Sequence, residues 1–165
     1  MNIRIAGIIP ESVVDGEGVR MAIFVQGCPH HCKGCHNPET HDFEGGTIMD
    51  TQDIINQIRD NTLVDGITIT GGEPFCQPAA CGEIAKAAKS MGKTVWVYTG
   101  YRWRELNAIK NFDKLLFNTN VLVDGRFLAT QKTLDKPFVG SKNQRVLDVR
   151  KSIMAHTMKA YKFTY

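Results

Sequence analysis

Long uncharged runs are missing from this 165-residue chain. The longest stretch without Asp, Glu, Lys or Arg is Met21 to Cys32, 12 residues, whereas a membrane-spanning helix needs about 20. No membrane partner is expected. The first residues carry an early charge, Arg4, and the break Pro10-Glu11, so a secretory leader with a continuous apolar centre is also missing. The expectation is a cytoplasmic protein. Gly and Pro, at 15 and 6, are too few for collagen or a disordered chain, and no repeat or low-complexity tract suggests a coiled coil. A single soluble globular domain remains. Length is also short, because a closed eight-unit βα barrel normally takes roughly 200 to 250 residues. Anything barrel-like here must be incomplete.

Acidic residues run out along the chain. Residues 1–125 carry 15 acidic and 11 basic side chains, while residues 126–165 carry 2 and 9. The ordinary reading is a solvated face on a loosely packed C-terminus. The functional one is a docking segment for an acidic partner or a nucleotide. The expected division is one domain over 1–150 and a basic C-terminal tail over 151–165.

Apolar segments alternate in type with the spacing of β/α units. Ile3 to Ile9 and Val19 to Gln26 read as strands, and residues 27–46 hold too much Gly, Pro, Cys, His and Asn for regular structure. Asp50 or Thr51 can N-cap a helix ending near Asp60, with Ile54, Ile55 and Ile58 on one face. A buried strand Gly66 to Thr70, a helix Pro78 to Met91 closed by Gly92, a strand Thr94 to Tyr98, a short helix Arg102 to Ile109 and a strand around Asn120 to Val123 follow. Arg145 to Val149 is a weak last strand. Strand, helix, strand in repetition predicts right-handed crossovers onto a parallel sheet.

Five cysteines are an odd set, better suited to metal or chemistry than to disulfides. Cys28, Cys32 and Cys35 fall within eight residues, Cys-Pro-His-His-Cys-Lys-Gly-Cys, directly after a strand. Such a loop can wrap its sulfurs around one centre, and thiolates suit zinc or iron–sulfur clusters. A structural zinc wants four ligands, so it would have to recruit His30, His31, His36, Cys76 or Cys81. A cubane cluster on three thiolates leaves one iron open to a small molecule. The spacing favours the cluster, since short zinc knuckles usually come as Cys-x2-Cys pairs.

The Cys-x3-Cys-x2-Cys loop after a strand resembles the signature of the radical S-adenosylmethionine (SAM) enzymes. Gly71-Gly72-Glu73-Pro74, at the carboxyl end of the next βα-unit strand, resembles their second motif. Two residues without Cβ let a ligand approach the backbone, and Glu73 adds negative charge. Asp15-Gly16-Glu17-Gly18-Val19-Arg20, Phe24-Val25-Gln26-Gly27-Cys28, Gly34-Cys35-His36-Asn37, Tyr98-Thr99-Gly100-Tyr101, Val123-Asp124-Gly125-Arg126-Phe127 and Ser141-Lys142-Asn143-Gln144-Arg145 narrow the likeness. Together they resemble the family of activating proteins of anaerobic (class III) ribonucleoside-triphosphate reductase. The likeness runs from about Asp15 to Arg150, with the last motif the most discriminating. Glu17 stands where that family commonly has Pro. Gly34 stands where many radical SAM enzymes carry an aromatic, and His36 is a neighbouring substitute.

That resemblance implies an α/β fold of radical SAM type, an incomplete βα barrel with a mainly parallel sheet. It implies a [4Fe–4S] cluster held by Cys28, Cys32 and Cys35, and SAM bound at the open iron beside Gly34, Cys35, His36, Gly71, Gly72, Glu73 and Pro74. The implied activity is reductive cleavage of SAM to a 5′-deoxyadenosyl radical that generates a glycyl radical on the large subunit of anaerobic ribonucleoside-triphosphate reductase. An electron donor such as flavodoxin or ferredoxin follows, a homodimer is compatible, and no nucleic-acid partner is implied. The alternatives are activation of another glycyl-radical enzyme, a small-molecule radical SAM reaction, or a zinc-binding interaction module. An open barrel side suits a macromolecular substrate.

The remaining candidates have ordinary readings. Cys76 and Cys81 are expected as core or incidental thiols. His30, His31, His36 and His41 are expected to be solvated, or donors to groups near the ligands. Trp96 and Tyr98 are expected in packing, with Tyr98 or Thr99 able to face SAM at a strand's carboxyl end. Family placement puts Asp15, Glu17 and Arg20 near the cluster, and Asn143, Gln144 and Arg145 at the active site or a docking surface.

Overall fold

Strands and helices alternate through the middle of the chain, as the apolar spacing predicts. The computed structural model describes residues 1–164. Its strands are β1 (Asn2–Ser12), β2 (Arg20–Val25), β3 (Thr47–Asp50), β4 (Gly66–Gly71), β5 (Thr94–Thr99), β6 (Val121–Asp124) and β7 (Arg145–Asp148). The helices are α1 (Thr51–Asp60), α2 (Pro78–Ser90), α3 (Trp103–Leu106), α4 (Phe112–Leu116) and α5 (Val149–Ala155). All seven strands form one sheet in the order β3-β1-β2-β4-β5-β6-β7.

The fold is mixed α/β, and its sheet is parallel only in the middle. β2, β4, β5 and β6 run parallel, while β1 pairs antiparallel with both β2 and β3, and β7 antiparallel with β6. The expectation of a mainly parallel sheet therefore needs correcting at both edges. A parallel partner requires a crossover long enough to return along the sheet. Residues 13–19 contain no helix, so β2 can only fold back on β1. β3 escaped the sequence reading because its burial pattern has no apolar alternation. It is an edge strand made by backbone pairing with β1.

Local signals held where chemistry specified them. Asp50 caps α1 by accepting the Gln52 N–H at 2.9 Å, and Ile54, Ile55 and Ile58 are buried. Gly92 follows α2 with φ +76°, a conformation that suits glycine. The main core lies between the sheet and α1, α2 and α4, with Ile23, Ile67, Ile69, Val95 and Val97 against Ile54, Ile84, Ala88 and Leu115. The opposite face carries a smaller cluster of Trp96, Val121 and Val123, covered by Phe138, Tyr161 and Phe163.

Backbone hydrogen bonds tie the C-terminal residues back to the sheet, while most of their side chains are exposed. Asp148 caps α5 through the Lys151 N–H at 2.9 Å, and Ser152 is buried. Beyond α5 the chain runs back along β7, with Asp148 N–H donating to the Lys159 carbonyl at 2.8 Å and Tyr161 N–H to the Val146 carbonyl at 2.9 Å. A boundary at residue 150 thus falls in the first turn of α5. Tyr165, the end of the expected tail, lies outside the described residues. Among the described residues no helix is long and apolar enough to cross a membrane.

Candidate functional site

Parallel strands deliver their carboxyl ends to one edge of the sheet, and the loops leaving them meet there. β2 leads into the cysteine loop, β4 into Gly72-Glu73-Pro74, β5 into Gly100-Tyr101, and β6 into Gly125-Arg126-Phe127. Four segments far apart in sequence are neighbours for that reason alone.

Cys28 is buried, Cys32 and Cys35 are half-buried, and Lys33 and Gly34 between them are exposed. Cys35 N–H donates to the Cys32 carbonyl at 3.1 Å, so these two share one turn. The Asn37 N–H donates to the Cys35 sulfur at 3.4 Å, while the backbone at His30 and at Phe127 pulls against the rise of the Cys28 and Cys32 thiols. Burial pushes the Cys28 thiol up to about 11, and the charges of Glu73, Cys32 and Cys35 add to the rise. Burial also raises Cys32, against the pull of the Phe127 N–H and the Arg126 charge. Three soft donors in one loop, the third accepting an amide N–H, fit an iron–sulfur cluster, whose sulfurs are tuned by such hydrogen bonds. Among the described residues, however, no group of three or more His, Cys, Asp or Glu side chains is gathered closely enough to hold a metal ion. The loop brings Cys32 and Cys35 into one turn and leaves Cys28 buried just after β2, without converging the three on a point.

The glycines of Gly71-Gly72 are required by the sheet itself. A Cβ on Gly71 would come 2.8 Å from the Phe24 Cα, and one on Gly72 would come 2.5 Å from the Gly27 carbonyl oxygen. Backbone of β2 and its following loop fills that space. Pro74 is buried at the start of a short 3-10 turn. Glu73 is 0% exposed, and both its oxygens are occupied. Oε1 accepts from the Thr99 hydroxyl at 2.8 Å and the Phe75 N–H at 3.0 Å. Oε2 accepts from His30 Nε2 at 2.7 Å and the Gly100 N–H at 2.8 Å. A buried carboxylate is tolerable only when hydrogen-bonded in this way.

Of the histidines, His31 and His36 are exposed, while the His30 side chain is 3% exposed. His36 stacks at a tilt on Phe127, ring centroids 5.1 Å apart, and Phe127 also lies against Gly34. An aromatic ring thus reaches the cysteine turn from β6's loop, a residue that the local pattern around Gly34 could not reveal. Cys81 is fully buried on α2 and Cys76 is exposed.

The Ser141-to-Arg145 motif folds a loop. Gln144 accepts from the N–H groups of Gly140 and Ser141 at 2.8 and 3.1 Å and donates to the Gly125 carbonyl at 3.0 Å. Asn143 donates to the Arg126 carbonyl at 2.8 Å. Arg145 grips the buried Asp124 through Nε at 2.9 Å and Nη2 at 2.5 Å. These contacts hold Arg126 and Phe127 beside Cys32.

Glu17 and Arg20 stand elsewhere. Arg20 opens β2 opposite Gly66 of β4, whose next neighbour Thr94 opens β5, so it sits at the amino ends of the parallel strands. Val25 lies five residue steps further along β2, about 16 Å away. The expected placement of both residues near the cysteine loop is corrected accordingly. A cavity of about 830 Å³ opens at this end, lined by Glu17, Arg20, Trp96, Arg150 and Tyr161 among others.

The family model described as "4Fe-4S single cluster domain" matches residues 14–147. A protein of Escherichia coli K12 named anaerobic ribonucleoside-triphosphate reductase-activating protein is 37% identical over 151 residues, covering 86% of this chain and 96% of its own. A Haemophilus influenzae protein of the same name is 35% identical over 144 residues, covering 82% and 91%. One from Enterobacteria phage T4 is 30% identical over 157 residues, covering 90% and 96%. Among solved structures, QueE from Escherichia coli aligns with TM-score 0.47 at 18% identity over 61% of this chain and 53% of its own, a likeness too loose to carry weight. Nearly the whole length of these relatives is represented, and the match includes the cysteine loop and the strand ends around it: the chain belongs to the anaerobic ribonucleoside-triphosphate reductase-activating protein family.

Proposed function

We propose that this enzyme holds a [4Fe–4S] cluster on Cys28, Cys32 and Cys35, binds SAM at the open iron, and generates a glycyl radical on the large subunit of an anaerobic ribonucleoside-triphosphate reductase. The observation that carries the reading is the set of three thiols, one buried and two half-open, in the single loop that leaves β2 at the carboxyl ends of the parallel strands. When bound, the cluster supplies an electron to the SAM sulfonium, whose S–C5′ bond breaks to methionine and a 5′-deoxyadenosyl radical able to take hydrogen from a glycine Cα.

The chain's own residues bind and position. The turn around Gly71 and Gly72 presents backbone at the β4 end, and Pro74 stiffens the segment that follows. Gly34 and the tilted ring pair of His36 and Phe127 lie next to the third cysteine, where the adenine would be received. Crossover helices pack on only one face of the sheet, as in the proposed incomplete barrel. Exposed Lys33 and Gly34 leave the turn open to another protein's loop.

Anaerobic loading with iron and sulfide, then incubation with SAM, reductant and candidate reductase, tests the reading. The expected result is about four iron per chain, release of methionine and 5′-deoxyadenosine, and a glycyl signal in electron paramagnetic resonance of the reductase. A chain that purifies with one zinc and takes up no iron overturns it.

A further inference from the structure

We infer that His30 is a positioning residue, clamped by Glu73, that sets the shape of the cysteine loop before any cluster is present. The inference rests on the reading of Cys28, Cys32 and Cys35 as cluster ligands. His30 sits midway between the first two in sequence. Its neighbours Pro29 and His31 are exposed, yet its own side chain is 3% exposed. The loop turns this one ring inward.

The ring is held on every side. Nε2 donates to Glu73 Oε2 at 2.7 Å, and Nδ1 accepts from Arg126 Nε at 3.3 Å. The Tyr101 ring meets it edge-on, with centroids 4.5 Å apart. Gly100 forms the floor, since a Cβ there would collide with the imidazole Cδ2 and Nε2. Thr99, Gly100 and Tyr101 are consecutive, and all three serve this socket: Thr99 and Gly100 by donating to Glu73, Gly100 also by vacating space, and Tyr101 by packing. Thr99, Gly100 and Tyr101 of the Tyr98-to-Tyr101 motif are thereby accounted for, whereas Tyr98 packs on the other face of the sheet and donates to the Phe138 carbonyl at 2.7 Å.

Glu73 has framework donors on three of its four hydrogen bonds, from Phe75, Thr99 and Gly100. The fourth comes from the cysteine loop. Full satisfaction of a buried carboxylate is therefore coupled to the loop being closed. The coupling sets the direction of the Cys28–Cys32 segment, as partners beyond the ligands do at metal centres in general.

The test uses anaerobically reconstituted wild type, His30→Ala, His30→Gln, Gly100→Ala and the His30→Ala/Gly100→Ala double variant. Iron per chain and the half-time of cluster loss to a chelator are measured, with the melting temperature of each metal-free protein. His30→Ala empties the socket and Gly100→Ala drives the ring out while keeping every hydrogen-bonding group. Each is expected to shorten the half-time about tenfold. His30→Gln, whose amide N–H reaches the Glu73 oxygen, is expected to restore most of it. The double variant should be no worse than His30→Ala, because the added methyl then has room. Wild-type half-times in both single variants, or losses that add in the double variant, overturn the clamp. Should His30→Ala fail to fold, Gly100→Ala and His30→Gln decide. A wild type that takes up no iron sinks the proposed function itself, whereas a stable wild-type cluster with unaffected variants sinks only the clamp.

Discussion

Arg20 and Glu73 are both fully buried at opposite ends of the parallel strands, Arg20 opening β2 at the amino ends and Glu73 just past β4 at the carboxyl ends. Arg20 spends its N–H groups on neutral oxygens of the framework: the Thr68 hydroxyl at 2.8 Å, the Ile67 carbonyl at 2.7 Å, the Thr94 carbonyl at 2.9 Å and the Glu17 carbonyl at 2.9 Å. Its guanidinium also lies over Trp96, 5.6 Å from the ring centroid. Burial lowers it to about 10, so it stays charged at neutral pH. Glu73 instead joins the framework to a loop that must receive a cofactor. One buried charge locks strand ends together, and the other reports whether the cysteine loop is in place.

The largest effects are expected at the thiols. Serine at Cys28, Cys32 or Cys35 should abolish iron retention and lower glycyl-radical yield by ~100-fold or more, since a thiolate ligand has no oxygen substitute of matching softness. Serine at Cys76 should leave the iron count at the wild-type value. Full iron in a Cys32→Ser protein would remove the functional half of the comparison.

Arg20→Met comes next. Several acceptor oxygens lose their donor inside the fold, a loss of about 3 kcal/mol read from a urea midpoint. Iron per folded chain should not change, because the residue lies at the far end from the cysteines.

Glu73→Gln should lose about 2 kcal/mol, since either placement of the amide NH₂ opposes a backbone N–H, that of Phe75 or that of Gly100. Unlike Arg20→Met it should also lower iron retention. Equal iron in the two variants would collapse the distinction between the two ends.

The smallest effect is expected from Gln144→Ala, about 1 kcal/mol, which frees the loop bearing Phe127 from its ties to Gly125 and Gly140. Faster amide exchange confined to residues 125–144 is the measurement that checks it.

Much of the molecule was legible in the residues. The Asp50 cap, the Gly92 terminus and the apolar runs of β2, β4 and β5 follow from local rules that act within a few positions. β3, the segment running back along β7 after α5 and the antiparallel edges were not, because backbone pairing with a distant strand leaves no periodic trace in the segment itself. The cysteine triplet was legible for the same reason as the caps, being a short-range spacing. The duties of Ser141-to-Arg145 were not: its side chains proved to hold backbone of another turn, which no motif states.

By itself, the sequence determined that three soft donors sit in one loop after a strand and that glycines follow the next strand. Ligand type and local backbone freedom are properties of residues and their near neighbours. Only the tertiary structure decided that Gly71 and Gly72 yield to the β2 backbone, that Phe127 supplies the ring Gly34 lacks, and that Arg20 stands far from the cysteines. It also decided that Glu73 holds His30. Parallel crossovers gather the carboxyl ends of β2, β4, β5 and β6 along one edge, and a buried carboxylate there must find its donors among whichever segments the sheet has gathered.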